Sequence, residues 1–457
     1  MKRRNFLRAG IGTAATLATG CSGLPVKTAR RVKGSRPVTI KFVPQWGIDG
    51  FARKLADEFT KQNPNVHIEF TGLPGNYDQA LLRAYKHGDP YDMVVTGPFY
   101  SMWATQSDYT IDLAPLYRRD FGPDYRKLFK NVFVNWQDKI VGVPFWAGTE
   151  LFYYNQDIIE AAGLRPPHDG WTWDDFSAIT RGSMKRTADG QVVQWGCSML
   201  ELDMFRVMVG QEDQRLYSRD YRQATIDTPV ARSVMALLHE LIFKHQVVGT
   251  PTQWRSARDD VATSWNHGAF YAGKVALLRD GDLRLKPTYE HAAKTGFKVG
   301  VAPPMRRKRQ AVGAGPTTFQ IWKSPNPDRA AAAWEFTKFW LTPANQARML
   351  LETGRAPVRL AAYDDPAGRQ CLQQWQGLSV FRDAYEHADP SLAISSYPTM
   401  ALEYLGMRPF MYRFMMRRLN VKQMLEQMQA KCQSILDDFW SKADKEIFEL
   451  FPEEMHK

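Results

Sequence analysis

The sequence predicts an α/β protein of two lobes, each a mostly parallel sheet flanked by helices, with a helical C-terminal region. Three observations predict it. The chain has 457 residues, more than the roughly 100–200 that one ordinary core organises. From residue 38 onward, short β-branched runs alternate with amphipathic segments of helical period, the grammar of strands joined by covering helices. Hydrophobic residues make up 44% and charged residues 24% of the chain, a globular balance, and a mean hydropathy of −0.42 excludes a polytopic membrane protein. The net charge of +12 suggests a polyanion partner only until it is located. Nine of the twelve excess charges precede Pro37 with no acid among them, so the body carries only +3. The run Arg306-Arg307-Lys308-Arg309 alone exceeds that remainder, and no nucleic-acid surface follows.

Residues 1–20 read as an export signal. Arg3 and Arg4 precede a weakly apolar stretch, residues 9–20, rich in Gly, Ala and Thr, the pattern of a twin-arginine signal. That stretch is shorter than the roughly 20 residues of a membrane-spanning helix. Leu17-Ala18-Thr19-Gly20-Cys21 is similar to a lipobox, with Leu17 one position farther from Cys21 than usual. Either Cys21 carries a lipid or the signal is simply cleaved. Residues 21–36 then form a basic tether, suited to an anionic membrane surface. Cys197, Cys371 and Cys432 remain, an odd number at wide spacing, so no disulfide framework is expected.

The body follows in order. Residues 38–43 (VTIKFV) predict a strand, Phe51, Leu55 and Phe59 a helix, and residues 66–70 (VHIEF) a second strand. Asp92-Met93-Val94-Val95 predicts a third. Thr172 with Asp175 three residues on has capping-box spacing, which makes Asp174 and Asp175 helix-start charges rather than catalytic acids. Thr228-Pro229, Asn326-Pro327 and Thr342-Pro343 each place a capping side chain before a proline at the first helical position. Met424, Met428, Cys432 and Leu436 recur every four residues, a buried helix face rather than a metal or ligand stripe.

A longer pattern runs through these pieces: "NPNV", "GDPYDMVV", "KIVGVPFWAGTELFYYNQDII", "GWTWDDF", "AFYAGKVALLRDG", "FKVGVAPPM", "AAAAWEFTKFWLTPANQ" and "TGRAPVR". In this order they resemble the extracellular solute-binding proteins of carbohydrate ABC transporters, family 1, which are maltose-binding-protein-like. The resemblance covers nearly the whole mature chain. It implies a periplasmic-binding-protein-like fold of type II, with a first lobe of residues 37–149 plus 296–347 and a second of 150–295 plus 348–457. It further implies that residues 297–301 return to the first lobe, with hinge crossings near 147–152, 290–297 and 345–350. The implied partners are a small sugar-like ligand and the permease subunits of an ABC importer. A monomer follows, exported and held at the membrane by its lipid.

Sugars present flat C–H faces to aromatic rings and hydroxyl edges to planar polar groups. Strand-end positions and the resemblance together single out Trp46, Asn76, Tyr77, Phe99, Tyr100, Trp146, Glu150, Asp282, Thr317, Arg355 and Tyr404. Each has a bland alternative: rim packing for Trp46, a helix cap for Asn76, burial in the hinge for Trp146, an exposed hinge carboxylate for Glu150, a turn for Asp282. Arg355 stands where an aromatic residue is expected, and a guanidinium fork suits carboxylates, phosphates or vicinal hydroxyls. A polyol phosphate or acidic sugar is therefore a rival ligand. No HExxH, CxxC, phosphate loop or GxGxxG following a strand occurs, so neither metal nor cofactor is expected. A glycoside hydrolase using Glu150 with Asp280 or Asp282 remains a second rival, since such an enzyme needs only two carboxylates across a sugar.

Overall fold

A computed structural model describes residues 36–44, 48–72, 81, 83–84, 87–96, 109–129, 133–136, 139–198, 202–218, 220–249, 267–313, 317–389, 392 and 401–442. The expectations for Cys21, Trp46, Asn76, Tyr77, Phe99 and Tyr100 lie outside them. The described strands are β1 (Val38–Val43), β2 (Val66–Phe70), β3 (Met93–Thr96), β4 (Val134–Trp136), β5 (Lys139–Trp146), β6 (Glu150–Asn155), β7 (Lys185–Arg186), β8 (Val192–Cys197), β9 (Val275–Gly281), β10 (Val299–Val301), β11 (Val312–Gly313), β12 (Thr317–Ile321) and β13 (Ala388–Asp389). They form a six-stranded sheet in the order β2-β1-β3-β12-β5-β4, a five-stranded sheet β10-β6-β9-β8-β7, and the small pair β11-β13.

In the first sheet, β1 turns Val38, Ile40 and Phe42 inward while Thr39 is exposed, the period-2 pattern of a strand. Every residue of β12 is buried, as a strand flanked by neighbours and covered on both faces requires. Phe319 of β12 stacks on Phe145 of β5 with centroids 4.1 Å apart, and both meet Trp340 edge-on. Trp340 ends the helix Pro327–Trp340, whose start is fixed by Asn326 accepting from Asp328 N at 3.0 Å. In the second lobe, Phe152 packs with Trp171, Phe176 and Leu277, whereas Leu151, Tyr153 and Leu278 pack on the other face with Leu350 and Phe381. The capping box of Thr172 and Asp175 is present, Thr228 and Thr342 cap their helices, and Met424, Met428, Cys432 and Leu436 are fully buried on the helix Val421–Lys442.

Two expectations are corrected. The sheets are mixed rather than mostly parallel: β1–β2, β1–β3 and β8–β9 are parallel, but β3–β12, β12–β5, β4–β5, β6–β9, β6–β10 and β7–β8 are antiparallel. The physical reason is the exchange of chain between sheets: β12 enters the first sheet from the second and so runs against β3 and β5. Residues 297–301 also do not return to the first sheet, because Val299–Val301 pairs with Tyr153–Asn155 of β6. The return lies beyond Val301 and before Thr317, and a hairpin closed by the Arg306–Gln310 bridge carries the basic run. Its charge is matched locally: Lys308 Nζ lies 3.0 Å from Glu212 and Arg309 2.5 Å from Asp389. Gln211 accepts at its carbonyl oxygen from Lys308 N and Arg309 N, both at 3.1 Å. Its side-chain amide donates to Met305 O and Ala311 O at 2.9 and 3.1 Å.

The helix Trp173–Gly182 approaches β8 at Gly196, where an added Cβ would stand 1.9 Å from the Thr180 carbonyl oxygen. Gly196→Ala is expected to lose about 3 kcal/mol, since backbone on backbone cannot give way. Gly50→Ala, where nothing lies within 4 Å, is expected to change stability by less than about 1 kcal/mol. Urea unfolding midpoints of the two variants test the contrast.

Candidate functional site

Three chain crossings meet at one floor. β5 ends at Trp146 and β6 begins at Glu150, so residues 147–149 make the first crossing. The second ends where Thr317 of β12 pairs with Trp146, and the third runs through Pro357, which bridges Trp146. Ala147 N donates to Ala356 O at 3.1 Å, and Thr149 Oγ1 donates to Gly313 O at 2.7 Å. The buried Gln346 side chain donates to Phe145 O at 3.1 Å and accepts from Val358 N at 2.9 Å. Gly354 ends the helix Pro343–Thr353 in the left-handed region, φ 77°. A β-carbon there would be strained and 3.1 Å from Lys286 Cβ. The same turn leaves the Leu351 and Glu352 carbonyls to Lys286 Nζ, at 3.2 and 2.8 Å.

Asp282, at the end of β9, joins these crossings. It is 1% exposed, and its Oδ2 accepts from the Trp146 indole Nε1 at 2.9 Å and from Ala356 N at 2.6 Å. A carboxylate so deep is tolerated when donors replace its water. Arg355 lies with its guanidinium carbon 5.0 Å from the centre of the Trp146 ring. Burial pulls the Arg355 pKa below its ordinary value, and the nearby Asp282 carboxylate opposes that shift. The structure therefore brings together Trp146, Asp282, Thr317 and Arg355. Thr317 is buried in the strand pairing, while Trp146 and Arg355 are half-buried.

Glu150 and Tyr404 belong to a second group, built on charges the sequence reading missed. The Glu150 carboxylate, half exposed, pairs with Arg279 at 2.6 Å. Arg279 also lies 3.7 Å from Asp203, Asp203 pairs with Arg206, and Arg206 reaches Glu403 at 2.5 Å. Glu403 is fully buried and accepts from Arg408 Nε at 2.7 Å. Arg408 stands 5.0 Å from the centre of the Tyr404 ring, which is 47% exposed. Burial raises the Glu403 carboxyl pKa, opposed by Arg206 and Arg408. For Asp203 burial acts upward too, but Arg206 and Arg279 outweigh it and hold the pKa low. The signal for this group was available: Arg279 with Asp280 in "VALLRDG" and Asp203 with Arg206 in "LDMFRVMVG" place charges in otherwise apolar runs.

Each carboxylate considered for hydrolysis is engaged. Asp282 takes two donors, Glu150 pairs with Arg279, and Asp280 pairs with the buried His267 and with Arg284 at 3.4 Å. Beside Glu150 and Arg279 lies a pocket, also lined by Gln211, Pro304 and Met305, of about 20 Å³, room for about one water. Among the described residues, no three His, Cys, Asp or Glu side chains are grouped to hold a metal, and no helix is long and apolar enough to cross a membrane.

Residues 54–374 match the family described as bacterial extracellular solute-binding protein. The sn-glycerol-3-phosphate-binding periplasmic protein UgpB of Yersinia pestis is 23% identical over 347 residues, covering 71% of this chain and 75% of the relative. Among solved structures, the sugar-binding protein MalE of Xanthomonas citri superposes with a TM-score of 0.75 at 18% identity, covering 89% of this chain and all of that one. The ABC substrate-binding protein Lmo0181 of Listeria monocytogenes, in complex with cycloalternan, superposes with a TM-score of 0.71 at 16% identity, covering 88% and 99%. These structures share the two-lobed architecture.

Asp282→Ala strands two buried donors, each worth about 1–3 kcal/mol. The expected loss is about 2–4 kcal/mol in urea unfolding, and Asp282→Asn, which retains an acceptor oxygen, should lose less. Equal losses for the two variants would show that the carboxylate oxygen is not what fastens the crossings.

Proposed function

Because the chain belongs to the bacterial extracellular solute-binding proteins, we propose that it binds a carbohydrate outside the cytoplasm, between its lobes, and delivers it to the permease of an ABC importer. The observation that carries this reading is the hinge floor. The Trp146 indole is half-buried where all three crossings meet, and its one donor is engaged by Asp282. An aromatic ring held there suits the apolar face of a sugar, and the lobes can close about segments 147–149, 302–313 and 354–357. Closure by a ligand that touches both lobes shifts an open–closed equilibrium. The sugar-binding MalE of Xanthomonas citri and the cycloalternan complex of Lmo0181 support the ligand class. The engagement of Glu150, Asp280 and Asp282 in ion pairs and hydrogen bonds supports binding over hydrolysis.

Trp46, Asn76, Tyr77, Phe99 and Tyr100 complete the first-lobe wall in this reading, and Glu150 and Tyr404 the second. Residues 1–20 direct export, Cys21 carries the lipid, and residues 21–36 hold a monomeric body near the membrane. One observation favours a second ligand class. Arg355 brings a half-buried guanidinium to the Trp146 ring, and relatives named for sn-glycerol-3-phosphate align with most of the chain. A polyol phosphate or sugar acid is then the ligand, with Arg355 as its anion contact.

A thermal-shift series with maltose, maltotriose, sn-glycerol-3-phosphate and glucuronate tests both readings. A ligand at 100 times its Kd adds about 2.7 kcal/mol. A neutral sugar that stabilises the protein and is recovered intact by mass spectrometry supports the main reading. An anionic hit should lose at least tenfold in affinity in Arg355→Ala. Recovery of cleaved sugar would overturn the binding role, and an anionic hit indifferent to Arg355→Ala would remove the second reading.

A further inference from the structure

We propose that Glu403 is a positioning residue: through Arg408 it fixes the ring of Tyr404, and through Arg206 it joins that ring to the Asp203–Arg279–Glu150 chain. The aromatic and carboxylate contacts of the second lobe are thereby held as one unit. The inference rests on the reading of Tyr404 as a ligand contact, and it adds the part that makes an exposed tyrosine a fixed surface.

The physical problem is entropic. A tyrosine side chain 47% exposed on a surface helix rotates among rotamers, and a stacking ligand must immobilise it. Here the ring faces a guanidinium 5.0 Å from its centre, and that guanidinium is not free to swing. Arg408 is pinned by two donors, Nε at 2.7 Å on Glu403 Oε1 and Nη2 on the same oxygen. Glu403 is itself fully buried, and its other oxygen is held by Arg206 Nη1 at 2.5 Å. Arg206 is 9% exposed and also pairs with Asp203. Arg279, 8% exposed, lies between Asp203 and the Glu150 carboxylate.

Local backbone serves the same end. Leu402–Met407 is wound as a π-helix, a wider turn that occurs mostly as a single-turn insertion in α-helices and frequently at functional sites. The result places Glu403 inward at 0% exposure and its neighbour Tyr404 outward. Gly406 faces Cys432, whose sulfur would lie 2.5 Å from an added Cβ, so this segment sits hard against the helix Val421–Lys442. A purely structural ion network would need no exposed aromatic at its end, and replacing such a buried network with apolar groups is often neutral for stability. The arrangement is explained by what it holds.

The test uses the full-length protein labelled with 3-fluorotyrosine, with the Tyr404 resonance assigned by its loss in Tyr404→Phe. In Glu403→Gln and in Arg408→Lys, which keeps the charge but loses the planar fork, the Tyr404 line is expected to shift and narrow as the ring is released. An unchanged line in both variants overturns the proposal, and Arg408→Lys keeps it open to refutation if Glu403→Gln fails to fold. A double-mutant cycle then separates positioning from stability, with the sugar or polyol phosphate that stabilises the wild type as probe. Glu403→Gln should weaken binding about tenfold in the wild type but add little in a Tyr404→Ala background, while its effect on the urea midpoint is the same in both. Equal weakening in both backgrounds overturns it. If Tyr404→Ala leaves affinity unchanged while the fluorine line responds as expected, the contact reading of Tyr404 fails and the positioning of the ring stands.

Discussion

The fold turns on a single buried carboxylate oxygen. Asp282 Oδ2 holds the indole of the first crossing and the backbone of the third, from a strand end in the second lobe. Around it Gln346, Thr149 and Ala147 complete the fastening with backbone and side-chain hydrogen bonds. None of these contacts is large in free energy on its own. Their effect is geometric: they make the three crossings share one floor between lobes with separate cores.

The chain uses charge inside as well as at its surface, in two different ways. In the basic run at residues 306–309, Arg307, Lys308 and Arg309 are matched by Glu212 and Asp389, and the backbone by the Gln211 carbonyl. There charge fastens a connecting hairpin to the end of the helix Leu202–Gln211. The chain from Glu150 to Arg408 instead runs through the buried Arg279, Arg206 and Glu403; burial acts upward on both the Glu403 and Asp203 pKa values, and the facing cations outweigh it at Asp203 but not at Glu403. Buried ions of this kind give little net stability but a definite geometry.

Much of the architecture was legible because the physics is local. The strands of residues 38–43 and 66–70, the capping box at Thr172 and the proline-marked helix starts follow from side chains adjacent in sequence. What was not legible depended on which lobe a segment joins. Residues 297–301 are apolar and β-branched enough for a strand in either sheet, and only the register with Tyr153–Asn155 decides between them. The site divides the same way. Trp146, Asp282, Thr317 and Arg355 sit at strand or helix ends that meet, so positional reasoning could group them. Arg279, Asp203, Arg206 and Glu403 lie inside elements, and although Asp203 and Arg206 are three residues apart, the links that join the group come from partners far along the chain.

The position of β12 bears on how the molecule comes to exist. It lies between β3 and β5, yet it is contributed by residues 317–321, after β6 through β10 of the other lobe have been made. Until it arrives, β3 and β5 present two bare edges to one another and the stacked Phe145 and Phe319 have not met. The first lobe is therefore begun first but closed only after the sheet strands of the second have been made. Its folding must wait on a contact spanning much of the chain, which makes the reaction slow and leaves unpaired edges open to wrong partners in the interval.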